Sequence, residues 1–179
     1  MAEAREGCER GVAAACVALG TFERTGRGVP LDRARAAGHF ERACTDAEAA
    51  GCAPLGRLLF EGLDAPPDLA RAHALFTRAC ARGDAAGCSG LGWIAQVAPP
   101  PWRDPAGSFG RLTAACAAGD LWGCAGLGRA HMYGHGTAVD PTRAASLLER
   151  ACFGGEARGC VGLGAAYEEG RALPTLVQW

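Results

Sequence analysis

The chain has 179 residues, 18 basic against 19 acidic, a net charge of −1 and 49% apolar side chains. That balance offers no basic stripe for nucleic acid or an anionic membrane surface. No stretch approaches the roughly 18 consecutive apolar residues a membrane-spanning helix needs. Every basic residue is arginine, so neither a Schiff-base lysine nor a Ser-x-x-Lys nucleophile pair can be built.

The first residues, Met-Ala-Glu-Ala-Arg-Glu-Gly-Cys8, lack the basic and apolar regions of a signal peptide. Residues 1–10 read as a partial helix, as if the chain were processed or cut from a longer one. The first full unit, 11–46, opens with Cys16-Val-Ala-Leu-Gly20 and then the loop Gly26-Arg-Gly-Val-Pro30. Asp32 follows, a good acceptor for the unpaired N–H groups at a helix start. Behind it Ala36, Phe40 and Ala43 recur at helical spacing up to Cys44. Each unit therefore predicts a helix A, a glycine-rich loop, a helix B and a short turn.

The pattern repeats at 47–82, with Cys52-Ala-Pro-Leu-Gly56, Asp68 and the stripe Ala72, Phe76, Ala79. The unit 83–118 carries Cys88-Ser-Gly-Leu-Gly92, but its loop is Ala98-Pro-Pro-Pro-Trp-Arg103 and its cap Asp104-Pro105. The unit 119–154 has Cys124-Ala-Gly-Leu-Gly128, the loop Gly134-His-Gly-Thr-Ala138, Asp140-Pro141 and the stripe Ala144, Leu148, Ala151. Proline fits the first helical position, where no donor is lost. Residues 155–179 form a last, partial unit around Cys160-Val-Gly-Leu-Gly164. Gly-Asp or Gly-Glu at 83–84, 119–120 and 155–156 supplies cap chemistry for the helices that follow.

Ten cysteines thus form five pairs, each eight apart, recurring every 36 residues. A fixed period of this length marks stacked helix pairs in a solenoid. The glycines at 20, 56, 92, 128 and 164 fall inside helix A, where glycine costs about 1 kcal/mol against alanine. Close approach of the partner helix is the expected reason. Each cysteine pair joins the end of a helix B to the start of the next helix A. Disulfides are the favoured reading, at roughly 2–3 kcal/mol per bridge on the chain-entropy model; free thiols and metal ligation stand as alternatives. Cys-x7-Cys is long for one zinc knuckle, so no metal is expected. Disulfides would place the chain in an oxidising compartment, periplasmic or secreted.

The stretches Leu19-Gly-Thr-Phe-Glu-Arg-Thr-Gly-Arg-Gly-Val29 and Gly162-Leu-Gly-Ala-Ala-Tyr-Glu-Glu-Gly170 resemble the Sel1-like repeat, a relative of the tetratricopeptide repeat. The cysteine pairs resemble its disulfide-bearing branch, which includes the Helicobacter cysteine-rich proteins and a mitochondrial intermembrane-space assembly factor. The position of the family's tyrosine holds Glu23, Leu59, Ala95 and His131, and only Tyr167 keeps it. The resemblance implies an all-α, right-handed α/α solenoid stapled at Cys8–Cys16, Cys44–Cys52, Cys80–Cys88, Cys116–Cys124 and Cys152–Cys160. It also implies a non-enzymatic scaffold that binds a protein or peptide on the concave helix-A face, without cofactor. Two alternatives accompany it: a weak β-lactam-binding or β-lactamase-like enzyme, and a structural or regulatory arm of a larger protein. Against the enzyme, Ser89, Ser108 and Ser146 stand in no nucleophile motif.

The tetratricopeptide resemblance sets the concave face by offsets from the Leu-Gly pair and implies Arg24, Arg57, Phe60, Trp93, Trp122, Arg129, Met132 and Tyr133 as the groove contacts. Aromatic and arginine side chains dominate binding hot spots because they cover large areas at modest entropy cost. Core packing is the competing role for Phe60, Trp93 and Trp122. His131 and His135 read as exposed loop histidines, and His39 and His73 as surface or packing residues. Glu41-Arg42 and Glu149-Arg150 read as solvated helix faces.

Overall fold

A computed structural model describes residues 2–45, 48–62 and 65–170. The expected partial unit is therefore described only as far as 170. Among the described residues the chain is all-helical: α1 (Ala2–Glu9), α2 (Ala13–Thr25), α3 (Arg33–Ala43), α4 (Cys52–Glu61), α5 (Leu69–Ala81), α6 (Ala85–Val97), α7 (Pro105–Ala117), α8 (Leu121–Tyr133), α9 (Pro141–Phe153) and α10 (Ala157–Glu168). Even-numbered helices correspond to helix A and odd-numbered ones to helix B. The chain divides into two compact units, Met1–Gly90 and Leu91–Trp179, with the division inside α6.

The B helices start as the sequence predicts. Asp32, Asp68, Asp104 and Asp140 accept from the backbone N–H three residues on, each at 2.9 Å. A second bond recurs that no local pattern announces. The backbone N–H of each of these aspartates donates to Glu23, Leu59, Ala95 or His131 O at 2.9–3.0 Å. The carbonyl at the family's tyrosine position thus anchors the start of the next helix and closes the intervening loop. A helices α6, α8 and α10 are capped by Asp84, Asp120 and Glu156. Three A helices end on glycines in the left-handed conformation, Gly26, Gly62 and Gly134.

In unit 1 the core is the stripe of each B helix against its A helices. Ala36, Phe40, Ala72, Phe76 and Ala79 are fully buried. Phe40 packs with Leu55 among Val17, Leu58 and Leu75. In unit 2 Leu148 packs with Met132, Ala144, Ala145 and Ala166, flanked by Leu163 and Tyr167.

The glycines explain how the helices come so close. A Cβ on Gly20 would stand 2.7 Å from the Phe40 ring, on Gly56 2.9 Å from Phe76, on Gly92 2.6 Å from Leu112, and on Gly128 2.8 Å from Leu148. Gly164 is the exception, with open space around it. The other glycine of the Gly-x-Gly pair, on the next A helix, meets the same side chain. Gly90 faces Phe76, Gly126 faces Leu112 and Gly162 faces Leu148. Each of these B-helix side chains is therefore clasped between glycines of two successive A helices.

All five cysteine pairs are disulfides, with Cα–Cα distances of 4.5–4.7 Å, and no free cysteine occurs. The free-thiol and zinc alternatives are thereby set aside. The second cysteine lies in the first turn of its A helix, opposite the end of the preceding B helix. At that distance the bridge needs no displacement of either helix.

Candidate functional site

In unit 1, α2 and α4 carry Arg24, Arg57 and Phe60. Arg57 donates through Nε to Glu61 Oε1 at 2.9 Å, one helical turn on. Phe60 is buried, as is Glu23 at the family's tyrosine position. The Glu23 carboxylate meets Arg35 at 3.0 Å and the His39 Nε2 at 3.3 Å. The opposite ring nitrogen of His39 lies 3.7 Å from Cys8 Sγ. His39 is thus a packing residue bridging a buried carboxylate and a disulfide. On the B-helix side, an open cleft between α3 and α5 is spanned by Glu41 and Arg71 at 3.6 Å.

In unit 2 α6 and α8 carry the other selected residues, in two groups near opposite ends of α8. Trp93 stacks on Trp122 with ring centroids 6.1 Å apart and 15° between planes. Trp93 Nε1 donates to Trp122 O at 3.0 Å, and the Arg158 guanidinium lies 5.1 Å above the Trp93 ring. Arg129 lies over Tyr133 at 5.4 Å, and the Tyr133 hydroxyl donates to Glu169 Oε1 at 3.2 Å. Relative exposures separate these residues: Phe60 8%, Trp93 4%, Trp122 2% and Met132 1%, against 38% for Tyr133. The first four are packed inward, as hot-spot types often are when they also build the core. Surface remains with Arg24, Arg57, Arg129 and Tyr133, joined by Arg158 and the 72%-exposed Val161.

The histidine expectation needs correction. α8 runs on to Tyr133, so His131 sits in its last turn, buried, with its ring edge-on to Phe109 at 5.5 Å. Burial, reinforced by Arg143, pushes its pKa below the usual imidazole value, while Asp140 pulls the other way. His135 is half-buried beside Tyr133, with ring centroids 5.9 Å apart. Its pKa is also lowered, by burial and then by the charges of Arg129 and Arg103.

The two arginines read as solvated, Arg42 and Arg150, are exposed, and each also reaches across repeats. Arg42 Nη2 donates to Cys8 O at 2.7 Å. Arg150 Nη2 donates to Cys116 O at 3.4 Å. Each clasps a carbonyl of the preceding bridge, 34 residues earlier in both cases. Their Arg-Ala-Cys context, also present at Arg78, was the available signal. Of the serines, Ser89 and Ser108 are buried, and Ser108 Oγ donates to Gly92 O at 2.8 Å. No group of three or more His, Cys, Asp or Glu side chains placed to hold a metal occurs among the described residues. No described helix is long and apolar enough to cross a membrane.

The Sel1 repeat model matches residues 13–46, 49–84 and 123–152, together more than half the chain. This chain belongs to the Sel1 repeat family. The unmatched interval of this Sel1 repeat protein contains the proline-rich loop at 98–103. A search of the curated proteins returns no match. Among solved structures, the chain resembles a Sel1 repeat protein from Oxalobacter formigenes at 20% identity and TM-score 0.69. It covers 93% of this chain and 66% of that one. It also resembles a protective antigen of uropathogenic Escherichia coli with an SLR fold, at 24% identity and TM-score 0.60, over 93% of this chain and 36% of that one. The Sel1 repeat chain thus spans less than two thirds of either protein, and the likeness is one of fold: an α/α solenoid, here bridged once per repeat.

Proposed function

We propose that the chain is a non-enzymatic scaffold that holds a protein or peptide partner on its helix-A face, in an oxidising compartment such as the periplasm or outside the cell. The family is of the protein-interaction kind, and the bridges suit such a setting. One observation carries the choice of face: in unit 2 the A helices place Arg158 over the Trp93–Trp122 stack and Arg129 over Tyr133. Arginine fixed on an aromatic ring loses little freedom when a partner arrives, which is what a contact residue needs. Val161, exposed one turn beyond Arg158, extends the surface with an apolar patch.

Affinity capture with the disulfide-intact chain, followed by mass spectrometry, identifies the partner. Arg158→Ala combined with Val161→Asp abolishes that capture while the helical circular dichroism stays intact. Undiminished capture by the folded double variant overturns the choice of face.

A further inference from the structure

We infer that Arg129, His135 and Arg103 form a carboxylate-binding site at the turn that ends α8, which takes an acidic side chain of a peptide partner. This deepens the scaffold reading by naming the chemistry that Arg129 recognises, and it rests on that reading.

The repeat supplies its own comparison. Arg57, two repeats before Arg129, has its Nε–H satisfied by the carboxylate of Glu61 four residues on. At the corresponding place after Arg129 stands Tyr133. The arginine is kept, but its carboxylate is replaced by an aromatic ring over which the guanidinium lies at 5.4 Å. Arg129 Nε is consequently a buried atom with no hydrogen-bond partner among the described residues. A buried donor left unpaired is costly, and an incoming acceptor recovers that cost.

His135 lies beside the same Tyr133 ring. The left-handed Gly134 turns the chain at the helix end, and His135 N donates back to Ala130 O at 2.9 Å. Its ring is thereby laid beside Tyr133, and its Nδ1 is likewise buried with no partner among the described residues. Gly136 continues the turn with φ +74 against the backbone of Pro105, at the start of α7, where a side chain would not fit. The turn thus meets the chain two residues after Arg103, whose positive charge acts on His135. Burial first, and then the charges of Arg129 and Arg103, lower the pKa of His135.

The acids nearby are engaged elsewhere. Asp104 accepts from Gly107 N and pairs with Arg111 at 3.5 Å. Asp140 accepts from Arg143 N, and Glu169 accepts from the Tyr133 hydroxyl on the ring's far end. The guanidinium edge made of Nε–H and a neighbouring Nη–H is a planar fork, matched by the two oxygens of a carboxylate.

The test is an NMR titration of the disulfide-intact full chain, reading the His135 ring nitrogens, with an acetylated pentaglutamate peptide. Pentaglutamine and inorganic phosphate are the control arms. Pentaglutamate shifts the His135 signals and raises the pH at which that ring titrates. Arg129→Gln weakens this binding about tenfold or more, the loss expected for a charge-assisted hydrogen-bond pair. Tyr133→Glu, which restores the internal carboxylate seen at Arg57, competes with the peptide and blocks it without disturbing the fold. Equal binding of pentaglutamine overturns carboxylate recognition, and response to phosphate alone overturns the peptide assignment. Binding undiminished in both variants, or no response to any arm, overturns the site. Capture of the partner through Arg158 and Val161 would survive all of these failures, so the two readings can fall separately.

Discussion

Alanine placed at Gly90 and at Gly164 isolates the force that sets the spacing between helices. Both glycines lie inside A helices, so either substitution gains about 1 kcal/mol of helix propensity. At Gly164 nothing among the described residues lies within 4 Å of the new Cβ, and the gain is realised in full. At Gly90 the Cβ lands on the Phe76 ring, against Cγ, Cδ1 and Cε1. That ring has little room to shift, because it also packs against Gly56, closely enough that a Cβ there would stand at 2.9 Å. Overpacking of this kind costs about 1–3 kcal/mol. Because propensity is common to both variants, their difference in stability measures the overpacking alone. Gly164→Ala is therefore more stable than the parent, and Gly90→Ala falls below Gly164→Ala by about 1–3 kcal/mol. Urea denaturation with the disulfides intact, read by circular dichroism, gives both values. Equal stabilisation by the two substitutions would refute the claim that Phe76 is clasped between glycines.

Two other expectations follow from polar side chains. Arg42→Met keeps the aliphatic stem but removes the donor to Cys8 O, and should cost about 1–3 kcal/mol, because the carbonyl loses a charged partner. The same urea series checks it, and a silent substitution would show that the bond to Cys8 O does not stabilise the fold. His131 is held neutral by burial, whereas the unfolded chain takes up its proton at about pH 6.5. The unfolded state then binds more protons, so stability present above that pH is lost as the pH falls below it. His135, lowered in the same direction, adds to the slope. His131→Phe keeps the packing against Phe109 and flattens the loss of thermal stability between about pH 7 and pH 5. An unchanged slope would show that this imidazole does not couple folding to protons.

The parts of this fold that are legible in the sequence are those encoded within one helix or one turn. Asp32, Asp68, Asp104 and Asp140 act as caps because capping is settled within three residues. The stripes around Phe40, Phe76 and Leu148 are buried because a helical period alone chooses that face. The cysteine bridges join positions eight apart, also a local matter. What stayed hidden depends on residues a whole repeat away. The inward packing of Trp93 depends on Trp122, 29 residues on, and the partner of Arg42 lies 34 residues back. An A helix has neighbours on several sides, so no single apolar stripe separates its contact surface from its core. His131 was misread for a smaller reason. It lies in the last turn of α8 rather than in the loop beyond Gly134, and on that turn its ring faces Phe109.

The bridges also divide the backbone into protected and unprotected stretches. Each spans only the turn from a B helix to the next A helix, so hydrolysis of a peptide bond between Cys44 and Cys52 leaves both fragments covalently joined. The loops within a repeat, such as that from Gly26 to Asp32, lie outside every such ring. A protease that cuts there severs the polypeptide into separable pieces.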